Sequence, residues 1–161
     1  MKMQNSNNDI PEARTLETHQ VWDLPVRLFH WINVLCVLGL IAVGTVILYA
    51  NELGVSAEGK VTLKITHAWI GYVFTFNLLW RLVHAAFTGN AYASWSAIVP
   101  GGKGYLGSLK AYVGSRGPEE LPAYKGHNPL GRLMVTAIFL LLMTQMVTGL
   151  VLAGTDLYFP P

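Results

Sequence analysis

The side chains best placed to do chemistry are two histidines set inside long apolar runs: His30, in Arg27-Leu28-Phe29-His30-Trp31, and His67, three residues past Lys64. An ionisable group within a membrane-length apolar run is costly and points to function by default. Neutral imidazole, in particular, is a metal ligand. At a rise of ~1.5 Å per residue, each histidine lies ~4.5 Å along its run from the charge that precedes it. On antiparallel neighbours these depths fall near opposite faces of a bilayer, which suits two metal centres, one at each face. A plainer role stays open for each: a hydrogen bond to a neighbouring helix, or an interfacial position like that of the tryptophans beside them.

The residues around these histidines bear on what they could hold. Gly71 follows His67 by four positions, on the same helical face, where a missing side chain lets a flat macrocycle approach the backbone. Gly44 follows His30 by fourteen, and at 100° per residue it is only about 40° off the same stripe. Trp31, Trp69, Tyr72 and Phe74 could pack a large planar ligand, and aromatic belts are equally ordinary at interfaces. His84 is seventeen residues past His67, about 100° around the helix, so the two cannot share a ligand face. It reads as an interfacial residue or part of a quinone pocket, with ligation beside His30 as the alternative. His127 precedes Asn128-Pro129 and reads as a cap neighbour; nothing singles out His19.

The elements that must position these residues are membrane helices. Of 161 residues, 52% are hydrophobic and only 12% charged, about half the charged share of a soluble chain. Spans are expected at about 28–50, 65–87 and 133–155, the first and third of 23 uncharged residues each. The second contains one charge, Arg81, near enough to its end to snorkel to the headgroups. Residues 1–24 are polar, with no apolar core of a cleavable leader before the first span. The net charge of +2 is too small and scattered for a nucleic-acid face. The single cysteine, Cys36, excludes an internal disulfide framework, a Cys-rich metal cage and c-type haem attachment.

Lysines and arginines number three before the first span, two between the first and second, and six from Arg81 to Arg132. The asymmetry predicts a cytoplasmic N-terminus and a cytoplasmic loop over residues 88–132. Within that loop Tyr105, Leu106, Leu109, Tyr112 and Val113 recur at helical spacing, predicting a short interfacial helix against membrane lipid.

Val21-Trp22-Asp23-Leu24-Pro25-Val26-Arg27-Leu28-Phe29-His30-Trp31 resembles the opening signature of the bacterial di-haem b-type cytochromes, which include the cytochrome subunits of membrane-bound nickel–iron hydrogenases. Gly126-His127-Asn128-Pro129-Leu130-Gly131 and Thr148-Gly149-Leu150-Val151-Leu152-Ala153-Gly154-Thr155-Asp156 support the resemblance, which covers most of residues 21–161. It implies an all-α transmembrane bundle of four helices, three of them in this chain, in the bacterial inner membrane. It also implies two b-type haems, with His30 ligating the cytoplasmic-side haem and His67 the periplasmic-side haem. His84 departs from the pattern, since members often carry an aromatic residue there. The text stops at Pro160-Pro161, before a fourth span that would supply the opposite ligands, so the expectation is a truncated or split product, or completion by another chain.

On this reading a hydrogenase-like periplasmic partner hands electrons to the haem near His67; they pass to the haem near His30 and reduce a quinone. Arg27 and Arg81 are the expected partners of the haem propionates, with Lys64 the weaker analogue at the other face. The alternatives are a quinol-oxidising cytochrome feeding a periplasmic c-type cytochrome or reductase, a haem-free anchor, and a transporter fragment. The last lacks the mid-span carboxylate or paired Gly and Pro that mark a transport path.

Overall fold

A computed structural model describes residues 21–115, 117 and 124–156. Most of the polar segment expected over residues 1–24 lies outside the described residues, as do His19, Arg116 and the Pro160-Pro161 end. Every regular element among the described residues is helical: α1 (Leu24–Leu48), α2 (Ala57–Phe87), α3 (Trp95–Ile98), α4 (Tyr105–Gly114) and α5 (Pro129–Asp156). Of these, α1, α2 and α5 are long and apolar enough to cross a membrane.

Caps, and not the limits of the uncharged runs, set the helix ends. Asp23 accepts from Val26 N at 3.2 Å, so α1 begins four residues before the expected Leu28 and takes Arg27 into its first turn. Ser56 accepts from Gly59 N at 3.1 Å and starts α2 at Ala57, eight residues ahead of Ile65. The extra turns carry Glu58, Lys60 and Lys64, charges that suit water or headgroups and leave the helix itself undisturbed. Asn128 accepts from Gly131 N at 2.6 Å, with Pro129 opening α5, as the Asn-Pro pair predicts.

α1 and α2 form an antiparallel hairpin joined by residues 49–56, and α5 packs along α2. Leu78 (fully buried), Phe74 and Cys36 form the centre, wrapped by Phe29, Leu40, Ile70, Phe139 and Met146 from the three long helices. Large apolar side chains such as Trp31, Phe76 and Leu141 face outward, as hydrocarbon permits and water does not.

The short helix expected in the 88–132 loop is α4, and its two faces differ. Tyr105 Oη donates to Pro129 O at 2.8 Å and Asn128 Nδ2 donates to Tyr112 Oη at 2.7 Å, tying one face to the start of α5. Leu106 and Val113, seven residues apart, are exposed on the other.

Candidate functional site

At the end of the bundle where residues 49–56 join α1 to α2, a cavity of about 360 Å³ opens between the three long helices. His67 and Gly71 border it from α2, Gly44 and Leu40 from α1, Met146 and Gly149 from α5. The glycines do different things. A Cβ on Gly44 would stand 3.3 Å from His67 Cε1 and 3.7 Å from its Nδ1, so this glycine leaves room for the imidazole. A Cβ on Gly71 or Gly149 would meet nothing within 4 Å, so these two keep the cavity itself open.

His67 Nδ1 is buried and has no hydrogen-bond partner, as is the Tyr72 hydroxyl on the same helix. An unpaired buried polar atom costs free energy, and ligation, or a hydrogen bond that a ligated ring would require, removes that cost. Among the described residues no group of three or more His, Cys, Asp or Glu gathers to hold a bare ion. A flat macrocycle brings ligands of its own, and a mostly apolar slot with open glycine walls beside one imidazole fits such a group.

The stripe reading put Gly44 in line with His30, and in the hairpin it instead abuts His67. At the opposite end, the level of His30 is about 21 Å from that of Gly44 along α1. His30 is exposed, its ring edge-on to Trp31 at 5.6 Å and 73°, and does not border the His67 cavity. Arg27 is also exposed, donating from Nε to Trp22 O at 3.2 Å.

Arg81 does not snorkel as the span reading expected. It is only 5% exposed, with its guanidinium 5.9 Å from the Phe29 ring and 6.0 Å from the Phe139 ring. Its Nη2 donates to Ala93 O at 3.0 Å, while Nη1 has no partner. The loop after α2 folds back over the head group, held by Asn90, which donates to Val21 O at 3.2 Å and to Asp23 Oδ2 at 3.3 Å. A buried guanidinium with one unused nitrogen can receive a carboxylate.

His84 lies 3.9 Å through Nε2 from Asp23 Oδ2. His127 packs edge-on against Trp22 at 4.8 Å, and burial, with Arg81 and then Arg132 nearby, holds its imidazole below the usual value. Three amides inside the spans escaped the sequence reading: Asn77, 6% exposed, which donates to Phe29 O at 3.1 Å; Asn33, one turn past His30, whose Oδ1 is buried without a partner; and Gln145 of α5, which borders the His67 cavity. Their signal was polarity in an apolar run, which a count of charges does not register.

Comparison with known proteins gives these positions a context. The chain is 30% identical over 149 residues to the "Probable Ni/Fe-hydrogenase 1 B-type cytochrome subunit" of Escherichia coli strain K12, covering 84% of this chain and 60% of that protein. It is 28% identical over 155 residues to the "Probable Ni/Fe-hydrogenase B-type cytochrome subunit" of Rhodobacter capsulatus, covering 89% of this chain and 58% of the relative. The similarly named protein of Cupriavidus necator is 25% identical over 165 residues, 90% of this chain and 62% of its own. The matches thus span about three fifths of these relatives' length. No solved structure matches the chain significantly. The family described as prokaryotic cytochrome b561 matches residues 21–160, the whole of the described bundle with both apolar-run histidines, and the chain belongs to that family.

Proposed function

We propose that the chain is a membrane electron-transfer subunit that holds b-type haem, with His67 ligating one haem at the 49–56 end and His30 a second at the opposite end. The observation that carries the reading is the His67 cavity: one imidazole with an unsatisfied nitrogen, beside three glycines from three helices, in apolar surroundings. Haem iron, when bound, supplies a one-electron couple whose potential follows its axial ligands and surroundings.

The chain's own residues do the rest. Gly44 lets the His67 ring stand upright between α1 and α2, and Gly71 and Gly149 clear the flat space beside it. The mostly apolar lining raises the cost of any stray charge beside the ring. At the other end the Arg81 Nη1 and, nearer the surface, Arg27 can hold haem propionates; Lys64, which borders the His67 cavity, can do so at its own end. The ~21 Å between the two levels is what makes a second haem useful, since one site alone would leave most of the ~30 Å hydrocarbon uncrossed.

The excess of Lys and Arg in the N-terminal segment and the 88–132 loop supports a cytoplasmic side for both in an inner-membrane protein. His67 then faces the periplasm. The relatives' names point to a hydrogenase-like partner; this reading puts that partner on the periplasmic side and a quinone at the cytoplasmic end. A fourth helix, from the rest of a longer protein or from another chain, would complete the iron ligation that His30 and His67 begin. The test is a pyridine haemochrome assay and a dithionite-reduced minus oxidised spectrum on the intact complex. Two b-type haems per copy are expected. A colourless complex would refute the reading and leave a haem-free anchor in its place.

A further inference from the structure

His30 is exposed, its ring set against Trp31 of the same helix, so its direction follows that of α1 at Phe29, the residue before it. Phe29 is fixed from three sides. Its ring stacks on Phe139 of α5, centroids 6.0 Å apart and planes 7° from parallel. The Arg81 guanidinium lies 5.9 Å from the same ring. Its carbonyl accepts the Asn77 side-chain amide at 3.1 Å.

The last contact differs in kind from the others. Apolar packing between α1 and α2, such as Gly39 beside Ile70, tolerates small slides and rotations. A buried amide paired to one named carbonyl does not, because losing it leaves both groups unsatisfied in apolar surroundings. A carbonyl has two lone pairs, so Phe29 can serve the helix ladder and Asn77 together. With 100° between successive residues, holding Phe29 toward α2 and α5 turns residue 30 out of the core.

We propose that Asn77 is a positioning residue for His30: its hydrogen bond to the Phe29 carbonyl sets the height and rotation at which α1 presents the ligand imidazole. The inference rests on the haem reading above and deepens it.

The test is electron paramagnetic resonance of the oxidised, purified complex, together with a potentiometric titration of each haem. His30→Ala and His67→Ala first assign the two low-spin signals. In Asn77→Leu, which keeps the bulk and removes the donor, the highest g value and the midpoint potential of the haem assigned to His30 should shift, while those of the haem assigned to His67 stay in place. Asn77→Ser, too short to reach the carbonyl, gives the same readout if the leucine variant does not assemble. Leu78→Ala, which loosens the same interface without removing a polar contact, should lower thermal stability with no selective shift. Wild-type signals for the His30 haem in the Asn77 variants, or equal shifts of both haems, would overturn the assignment of Asn77 alone. A wild-type complex without haem would overturn the haem reading and this inference with it.

Discussion

Gly44 and Gly71 border the same cavity, yet substitution should affect them oppositely. At Gly44 the first added carbon meets His67 Cε1 at 3.3 Å, a few tenths of an ångström inside comfortable carbon contact. Alanine there gains about 0.5–1 kcal/mol from a stiffer helix and spends much of it displacing the imidazole. Valine adds two further carbons against the ring, and overpacking of that kind costs about 1–3 kcal/mol. Gly44→Val should therefore lower the melting temperature of the chain with or without haem. At Gly71 an added carbon meets nothing, so Gly71→Leu should leave the haem-free chain as stable as the parent, or up to about 1 kcal/mol more so, while its side chain occupies space a macrocycle needs. The assay pairs thermal unfolding in detergent, followed by circular dichroism, with haem content by pyridine haemochrome in the same preparations. The expected pattern is a loss of stability in Gly44→Val, and in Gly71→Leu an undiminished melting temperature with about half the haem lost. Full haem content in Gly71→Leu would refute the assignment of the cavity, whatever Gly44→Val does.

The axial assignment makes a sharper demand: His30→Ala and His67→Ala should each remove one of two separable b-type signals in the reduced spectrum, and His84→Ala neither. Loss of both signals in either single variant would contradict separate sites. Acid should act through His127, whose imidazole is held below its ordinary 6.5 by burial and then by Arg81 and Arg132. The native state resists this proton more than the unfolded chain does, so the stability present above 6.5 declines as pH falls from that value through the native one. His127→Gln should flatten the decline in melting temperature, and superimposable acid profiles for the two proteins would rule the mechanism out. Asp23→Ala removes the cap of α1 and an anchor of Asn90. It should cost about 1 kcal/mol, measured as a lowered melting temperature, and an unchanged one would show that the cap carries no net stability.

How much of this was legible beforehand follows from which physical constraints a one-dimensional text displays. A bilayer excludes charge over a fixed length, so the three spans and the all-helical class are visible as long apolar runs, two free of charge and one with Arg81 alone, and Asn128-Pro129 displays its own helix start. The true helix ends were hidden where a cap lies beyond a charged turn: Ser56 starts α2 ahead of Lys60 and Lys64, and Asp23 starts α1 ahead of Arg27. Arg81 looked free to snorkel because its distance from the end of α2 is all the sequence shows. Its confinement depends on Ala93, twelve residues on, returning over it.

The candidate site was half visible for a related reason. Helical phase is computable from spacing, which is why Gly71 could be matched to His67, both on one helix. Phase says nothing about which level of one helix meets which level of another. In the hairpin the contacts run Phe29 to Asn77, Gly39 to Ile70 and Gly44 to His67, one helix ascending as the other descends. That register assigns Gly44 to the histidine of the neighbouring helix and leaves His30 at the level of Asn77. It is fixed by the eight-residue turn over 49–56 and by the interlocking of side chains along α1 and α2. Neither is a property of any single residue. The same register brings an uncharged amide, overlooked by every charge-based criterion, to the Phe29 carbonyl beside His30. Polar residues without charge are thus where a membrane cytochrome sequence says least and its helix packing decides most.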